Sequence, residues 1–326
     1  MQNKKINMMI TINDINEAKK RISKYAVRTP LLRVAHLDEI LRCKVWLKPE
    51  SLQQTGSFKL RGALNKLLSL TDEQKKHGVV CASSGNHGQA VAYAAKLLGI
   101  DAKVVMPVNA NPVKLEGVRK YGGEIILCGT KSSEREAKMR EIMEQENRIA
   151  IHPFDDNQVK AGQGTISLEI LEDKPDISYI VVPIGGGGLI SGISTAAKTL
   201  NPNIKIVGVE PTGAPRYSLS RQAKMPVSLD KVNTIADGTR TDKANPNNFP
   251  IIEKNVDYLV SVDDEQIKQA MKLMLSQAKL FVEPSGATGV AAAMSQKIPC
   301  AVNDNVCFVL SGGNGDLSLL ASIISE

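Results

Sequence analysis

Three separated motifs in this 326-residue chain carry groups that could do chemistry. Lys59 ends a Ser-Phe-Lys sequence, four glycines run unbroken over positions 185–188, and Ser311 follows an apolar stretch. A lysine amine can form a covalent bond to a carbonyl carbon. Consecutive glycines leave several backbone N–H groups open to an anion, and a hydroxyl can donate or accept a hydrogen bond. Together the motifs predict a site for a small anionic ligand that reacts with the lysine amine.

The glycine motif predicts a phosphate-binding loop. It consists of Gly185, Gly186, Gly187 and Gly188. It follows the apolar run 179–184 and precedes the helical sequence 189–199, and N–H groups at a helix start form an anion site. Ile193 stands where a P-loop requires lysine, and no Gly-x-Gly-x-x-Gly register fits, so the usual ATP and NAD sites are excluded. The alternative is a tight strand-to-helix turn without a ligand.

Lys59 is the candidate reactive amine. A lysine that forms a Schiff base must be deprotonated part of the time, and burial favours its neutral form. Phe58, the residue before it, could pack on a cofactor ring. The alternative for Lys59 alone is a surface lysine at the start of a helix.

Ser311 ends the predicted strand 306–310, where open α/β sheets place ligand contacts. Facing a pyridine nitrogen, its neutral hydroxyl would not keep that nitrogen protonated as a carboxylate would, which suits elimination at Cβ. The alternative is a helix-cap or turn serine. An amine for an aldehyde, a cradle for a phosphate and a hydroxyl for a ring nitrogen together predict pyridoxal 5'-phosphate (PLP) as the cofactor.

A fourth motif, the loop at 83–87, could bind a substrate carboxylate. It contains Ser83, Ser84, Gly85, Asn86 and His87. Serine hydroxyls and backbone N–H groups at a helix start suit an anion. The alternative is an ordinary capped helix start with His87 as a satisfied polar residue. No second histidine stands at metal spacing, so zinc is not predicted.

Short apolar runs alternate with amphipathic stretches, a pattern typical of a parallel sheet covered by helices. The predicted strands are 44–47, 78–81, 103–106, 124–127, 179–184, 205–209 and 306–310. The predicted helices are 12–26, 58–69, 88–98, 111–121, 133–146, 162–171, 189–199, 263–277 and 285–296. Asp263 and Gln266 predict a capping box for one of these helices. Residues 79–153 have their own strands and helices, which predicts a small substrate-closing domain inserted in a large PLP-binding domain of residues 1–78 plus 154–326.

The composition favours a cytoplasmic enzyme over a nucleic-acid-binding protein. Lysine and arginine exceed acidic residues by 41 to 34, but aromatic residues make up only 4% and no basic run contains rings. Five cysteines, without a Cys-x-x-Cys pair, are typical of reduced thiols. The first ten residues lack a signal-peptide core, and no apolar stretch could span a bilayer. We therefore expect no nucleic-acid and no membrane partner.

The ordered motifs resemble the fold-type II PLP enzymes, and among them the serine racemase and serine/threonine dehydratase group. The resemblance covers nearly the whole chain, through the blocks at 55–62, 83–87, 161–165, 234–238, 283–286 and 311–317. It implies a tryptophan synthase β-like α/β fold, with two three-layer αβα domains and twisted, mostly parallel sheets. It also implies a homodimer.

The resemblance implies a role for each site residue. Lys59 would hold PLP covalently and act as the base on one face, and Ser311 would face the ring nitrogen. Further cofactor contacts are implied for Phe58, Asn86, Gly185, Gly186, Gly187, Gly188, Gly238, Glu283 and Asn314. Substrate contacts are implied for Ser83, Ser84, Asn86, His87, Arg135 and Asp237.

Ser84 bears on which reaction the chain resembles. Racemisation needs a proton donor and acceptor on each face of a planar carbanion, and Lys59 serves only one face. Racemases are similar to this chain in having serine at the position of Ser84, whereas many dehydratases have alanine. Some hydroxy-amino-acid dehydratases also carry the double serine, so Ser84 permits racemisation without proving it.

One position departs from the racemase pattern. The resemblance implies a divalent-cation site made by Glu210, the carbonyl of Ala214 and an acidic residue at position 216. This chain has Arg216 there, and a guanidinium cannot ligate a cation and would repel it. We expect Arg216 to act as the counter-charge of Glu210 in a metal-independent enzyme.

The leading hypothesis is a PLP-dependent lyase that converts serine or threonine to a keto acid and ammonia, with racemisation of serine as a second outcome. One alternative is a threo-3-hydroxyaspartate dehydratase, since Arg135 would suit an extra carboxylate. Another is a β-replacement enzyme of the cysteine-synthase type. A non-catalytic ligand sensor is the alternative from a different class, and a nucleotide effector stays open.

Overall fold

The computed structural model describes residues 9–83, 85–110 and 112–325. In the described residues the strands are β1 Leu32–Arg33, β2 Lys44–Pro49, β3 Val79–Ala82, β4 Ala102–Met106, β5 Glu124–Leu127, β6 Ile149–Ala150, β7 Tyr179–Pro183, β8 Lys205–Pro211, β9 Tyr258–Val262 and β10 Asn305–Leu310. The helices are α1 Ile12–Ile22, α2 Asp38–Leu41, α3 Lys59–Leu68, α4 Asp72–Lys76, α5 Asn86–Leu98, α6 Pro112–Lys120, α7 Ser132–Glu146, α8 Asn157–Asp173, α9 Gly188–Leu200, α10 Arg216–Ala223, α11 Phe249–Asn255, α12 Asp264–Leu273, α13 Pro284–Met294 and α14 Leu317–Ser325.

The strands form two sheets. The larger sheet has the order β1-β2-β10-β7-β8-β9, and only β1 runs antiparallel to its neighbour. The smaller sheet has the order β5-β4-β3-β6 and is entirely parallel. Parallel strands need crossover connections, and helices supply most of them here. The predicted fold class, α/β with mostly parallel sheets, is confirmed.

The central strands of the larger sheet are buried on both faces, as their unbroken apolar sequences predict. In β10, Val306 and Phe308 pack in the cluster that contains Val290 of α13. Cys307 between them packs in the cluster that contains Ile190 of α9. Successive side chains of one strand thus fill two cores, which makes this a three-layer arrangement.

The smaller sheet is also covered on both faces. Helix α5 places Val91 against Val104 on one face, and α7 places Met139 against Val105 on the other. All four strands of this sheet lie within residues 79–150. The domain boundaries at 79–153 stay a prediction.

Most local differences from the predicted elements concern short or exposed segments. Strands β1, β6 and β9 and helices α2, α4, α10, α11 and α14 were not predicted from the sequence. The capping box before α12 is confirmed, because the Asp263 carboxylate accepts from the backbone N–H of Gln266 at 2.8 Å and Asp263 N–H donates to Gln266 Oε1 at 3.1 Å. Among the described residues, no helix combines the length and apolar character needed to cross a membrane.

The sheet order brings distant motifs to one edge. Strands β7 and β10 are parallel neighbours, so their carboxyl ends, followed by the glycine run and by Ser311, point the same way. Ser57 lies just beyond β2 and forms an antiparallel bridge with Gly312. The crossover topology thereby positions the three motifs next to one another, as expected for ligand sites in open parallel sheets.

Candidate active site

A cavity of about 200 Å³ lies between the two sheets' loop ends and collects most of the predicted site residues. The predicted residues that line it are Phe58, Lys59, Ser83, Asn86, His87, Arg135, Gly185, Gly186, Gly187, Gly188, Asp237, Gly238, Glu283 and Ser311. Asn314 is outside the lining, and Ser84 lies outside the described residues. Elements of both sheets therefore contribute to one cavity.

Lys59, the first residue of α3, has its amine inside this cavity. Its Nζ donates to the carbonyl of Pro153 at 2.9 Å and lies 5.0 Å from the centroid of the Phe58 ring. Burial lowers the pKa of Lys59 to about 8, although Glu283 acts in the opposite direction. A neutral amine, which a Schiff-base lysine requires, is therefore accessible near neutral pH. The alternative interpretation, in which Lys59 is a surface lysine at the start of a helix, does not agree with the position of its amine in the cavity.

The glycine loop is shaped by close neighbours. A Cβ atom at Gly186 would overlap the ring of Phe154. Gly187 has φ +87°, in the left-handed region that favours glycine, and a Cβ there would overlap the hydroxyl of Tyr217. At these two positions the backbone approaches its surroundings too closely for any side chain. The loop ends at Gly188, where α9 begins.

Ser311 is buried directly after β10 and lines the cavity. Its carbonyl accepts from the backbone N–H of Phe58 at 3.0 Å. The segment that carries the lysine is thus fastened to the segment that carries the serine. This contact explains how two motifs from opposite ends of the sequence reach one cavity.

Hydrogen bonds between side chains link Asn314 to Asn86 and Asn86 to Glu283. Asn314 Nδ2 donates to Asn86 Oδ1 at 2.9 Å, and Asn86 Nδ2 donates to Glu283 Oε1 at 2.7 Å. Burial raises the pKa of the Glu283 carboxyl, although Lys114 opposes this. Its Oε2 has no hydrogen-bond partner among the described residues. Asn314 therefore acts on the cavity through Asn86 rather than by lining it.

The loop before α5 is held by Ser83. Its Oγ accepts from the N–H groups of Gly85 at 3.1 Å and Gly88 at 2.9 Å, so this hydroxyl caps the helix start. His87 Nε2 donates to the carbonyl of Ile151 at 2.8 Å. Burial, and then the neighbouring Lys59, lower the pKa of His87 to about 3. His87 is therefore neutral, and its buried Nδ1 has no hydrogen-bond partner among the described residues.

Arg135 and Asp237 both line the cavity, but each has other partners. The Arg135 guanidinium donates to the carbonyl of Thr130 at 3.1 Å and to Ser132 Oγ at 3.0 Å. Asp237 forms an ion pair with Lys114 of α6. Lys114 was not singled out from the sequence, because a lysine in an amphipathic helix gives no signal of its own.

The segment at 152–154 was also missed. Pro153 supplies the carbonyl that accepts from Lys59, and Phe154 packs on the glycine loop. The His152 and Phe154 rings meet edge to face with centroids 4.6 Å apart. A signal existed, since the segment follows a strand of the smaller sheet, but β6 is only two residues long and was not predicted.

The residues implied in a metal site lie outside the cavity lining. Glu210 accepts from the N–H groups of Tyr217 and Ser218, each at 2.9 Å. Arg216 Nη1 donates to the carbonyl of Ala214 at 2.6 Å, so a guanidinium takes the oxygen that a cation would need. Among the described residues, no group of three or more His, Cys, Asp or Glu side chains is placed to hold a metal ion. These residues do not fit a divalent cation.

The cavity does fit PLP. It has a half-buried amine with a lowered pKa, a glycine loop too closely packed for side chains, and a buried serine at a strand end. These features meet the needs of an aldehyde, a phosphate and a ring nitrogen. The fold and the cavity thus define an α/β enzyme of the lysine-dependent PLP type.

Comparison with known proteins agrees with this class. The family model described as pyridoxal-phosphate dependent enzyme matches residues 22–312, and the chain belongs to this family. Serine racemase of Oryza sativa subsp. indica is 42% identical over 313 residues, which is 95% of this chain and 92% of that protein. L-threonine ammonia-lyase of Thermotoga maritima is 42% identical over 318 residues, 98% of this chain and 79% of that protein. The structure of maize serine racemase matches with a TM-score of 0.93 and 42% identity, covering 98% of each chain.

Proposed function

We propose that this protein is a PLP-dependent ammonia-lyase for serine and threonine, with racemisation of serine as a second activity. The observation that carries the proposal is the half-buried Lys59 amine, which shares one cavity with the glycine loop and Ser311. The similarity to a serine racemase and a threonine ammonia-lyase supports both activities.

In this proposal the backbone N–H groups of the glycine loop hold the PLP phosphate and the Ser311 hydroxyl holds the ring nitrogen. Phe58, Asn86, Gly238 and Glu283 complete the cofactor contacts. When bound, PLP supplies electron withdrawal that acidifies the hydrogen on the substrate α-carbon. A neutral partner such as Ser311 limits this withdrawal, which favours loss of the β-hydroxyl over other reactions.

The remaining steps belong to side chains of the chain. Lys59 Nζ, oriented by the Pro153 carbonyl, removes the α-proton from one face. The loop that contains Ser83 and Asn86 binds the substrate carboxylate at the start of α5, with His87 as a neutral hydrogen-bonding neighbour. Arg135 and Asp237 contact the distal end of the substrate.

Incubation with L-serine, D-serine, L-threonine and threo-3-hydroxyaspartate tests the proposal. We expect keto acid and ammonia from L-serine and L-threonine, and D-serine from L-serine. Keto acid production is measured directly, and the two serine enantiomers are separated and measured by chiral chromatography. Turnover of 3-hydroxyaspartate alone would favour the dehydratase in which Arg135 binds a second carboxylate. Consumption of serine only with an added thiol would favour a β-replacement enzyme, and no reaction together with no visible-edge absorbance would favour a sensor.

Ser84→Ala is expected to remove racemisation while elimination continues. Lys59 protonates and deprotonates one face only, so inversion needs a second proton carrier on the opposite face, and we propose Ser84 for it. Loss of a positioned acid–base group costs about 10²–10⁴-fold in the step that uses it. The ratio of D-serine to pyruvate formed from L-serine measures the effect. Ser322→Ala, at an exposed serine of α14 outside the cavity lining, is the control and should leave both products unchanged. An equal fall of both products in Ser84→Ala would reject the two-base scheme.

We also propose that activity does not need a divalent cation, because Arg216 takes the Ala214 carbonyl. Removal of divalent ions with EDTA is expected to leave keto acid formation unchanged. Initial rates before EDTA, after EDTA and after added magnesium provide the measurement. Activity that vanishes with EDTA and returns with magnesium would contradict the proposal. A homodimer, which the resemblance implies, remains a further proposal. A cytoplasmic location, which the cysteine content indicates, and response to a nucleotide also remain proposals.

A further inference from the structure

Arg216 is a buried arginine outside the cavity that the proposed reaction does not use. It is the first residue of α10 and is fully buried. Its side chain is among the largest that the protein buries completely. Burial of a charged group is costly unless hydrogen bonds and opposite charge compensate it, so its partners show what it does.

The partners of Arg216 are backbone carbonyls. Nη2 donates to Ile184 at 2.7 Å, Nε donates to Gly185 at 3.1 Å, and Nη1 donates to Ala214 at 2.6 Å. Two of the three carbonyls belong to the start of the glycine loop. The guanidinium therefore connects the loop after β7 to the loop after β8.

The charge of Arg216 is balanced by Glu210 without a direct ion pair. Among the described residues no ion pair joins them within 4 Å, and the carboxylate accepts from Tyr217, Ser218 and the Ser218 hydroxyl instead. Burial raises the pKa of the Glu210 carboxyl, and the charge of Arg216 acts against that rise. The two buried charges thus offset each other through space while each keeps its own hydrogen bonds.

A third carbonyl of the glycine loop is also held by hydrogen bonds. The Gly186 carbonyl accepts from the Tyr217 hydroxyl at 2.9 Å and from Asn248 Nδ2 at 2.8 Å. In a trans peptide the C=O and the following N–H point in opposite directions. Because the carbonyls at 184–186 face Arg216 and Tyr217, the N–H groups at 185–187 face the other way, towards the cavity that these glycines line.

We propose that Arg216 is a positioning residue that aims the N–H groups of the glycine loop at the cofactor phosphate. It is a permanent internal cation that fixes the loop carbonyls. The inference rests on the proposed function only in taking the glycine loop as the phosphate site. Arg216 touches neither cofactor nor substrate and acts through the loop.

The test measures binding to the apoprotein, not turnover. Arg216→Met removes the donors and the charge, Arg216→Lys keeps the charge, and Arg216→Met with Glu210→Gln removes both buried charges. The double variant is needed because Arg216→Met alone leaves Glu210 buried without a counter-charge and could prevent folding. Arg221→Met is the matched control. Arg221 lies on the same helix and donates to the carbonyls of Ile252 and Val256, which are not part of the glycine loop.

We expect the double variant to bind PLP and inorganic phosphate about 10-fold or more weakly, the loss of one hydrogen bond to a charged group. The phosphorus-31 resonance of bound PLP should shift in the Arg216 variants, with partial recovery in Arg216→Lys and no change in Arg221→Met. A folded double variant with the parent's affinity and resonance would overturn the positioning role alone. A parent that binds no PLP would instead contradict the proposed function together with this inference.

Discussion

Replacement of Lys59 with alanine is expected to abolish both keto acid formation and racemisation. In the proposed mechanism the variant loses the amine that would bind the cofactor aldehyde and the base that would remove the α-proton, and both products depend on that proton. Loss of a positioned base alone costs about 10²–10⁴-fold, so the combined loss should fall below detection. Initial rates of pyruvate and D-serine formation from L-serine provide the measurement, with absorbance at the visible edge as a second readout.

Lys66→Ala is the matched control for this variant. Lys66 lies on the same helix as Lys59, forms an ion pair with Asp156 at 2.7 Å and does not line the cavity. Its loss should leave both products and the absorbance near the parent's values. Keto acid formation that persists in Lys59→Ala would refute the assigned mechanism, and equal losses in both lysine variants would point to damage of α3 instead.

The cavity could be predicted from the sequence because each motif carries its own local signal. A run of four glycines is rarely needed by a turn without close neighbours, and Gly186 against Phe154 shows such a neighbour. A serine directly after an apolar strand lies at the edge where parallel sheets bind ligands, and Ser311 lies there. These signals are local in the sequence and can be recognised without knowledge of the tertiary fold.

Partners contributed by ordinary-looking residues could not be predicted. Lys114 reaches Asp237 only because the fold brings α6 next to the segment between α10 and α11, and nothing in the sequence near Lys114 indicates this. The contact of Arg216 with the carbonyls at 184–185 is likewise long-range. The sequence predicted Arg216 as the counter-charge of Glu210, and the two charges do offset each other, but the guanidinium donates to three carbonyls and not to the carboxylate. Charge alone indicates an opposite charge nearby but not the hydrogen-bond geometry.

The fold could be predicted where apolar runs are long and failed where elements are short. Strand β7 matches its prediction to one residue at its end, because its five residues are nearly all apolar. Strand β6 has two residues and helix α2 has four, which is too short for a periodic pattern. Helix α12 ends before the predicted limit because the chain continues as a π-helical segment at Met274–Ala278, a change that periodicity does not register.

The helix that carries Lys59 is anchored by a buried network of charges. Arg61 Nε and Nη2 donate to Glu50, each at 2.8 Å, and Nη1 and Nη2 donate to Glu169 at 2.6 and 2.8 Å. Lys48 Nζ donates to Glu169 at 2.5 Å and to the carbonyl of Thr29 at 2.6 Å. Two cations and two carboxylates thus balance inside the protein. The network joins β2, α3 and α8 beneath the reactive lysine.

Arg61→Met is expected to destabilise the folded protein by about 3–5 kcal/mol, because it leaves two buried carboxylates with Lys48 as the remaining cation. For a chain of 326 residues that corresponds to a fall in the melting temperature of roughly 4–7 °C. Thermal unfolding of the apoprotein followed by circular dichroism measures it. Arg28→Met is the control. The side chains of its partners Glu172 and Asp173 are 46% and 35% exposed, and ion pairs at the surface contribute only about 0–1 kcal/mol.

The effect of Arg61→Met should depend on pH in a defined direction. Burial alone would raise the pKa of Glu50, but the charge and hydrogen bonds of Arg61, helped by Lys48 and the Thr29 hydroxyl, together hold that pKa below its ordinary value. A carboxyl with a lowered pKa contributes stability at neutral pH that is lost as pH falls through the folded-state pKa. Without Arg61 burial would raise the pKa of Glu50, so the difference in melting temperature between parent and variant should begin to narrow above about pH 4.5, the ordinary pKa of this group, and should narrow further as pH falls through the lowered pKa of the parent. A difference that stays constant across this range would show that the loss comes from packing rather than from unpaired charge.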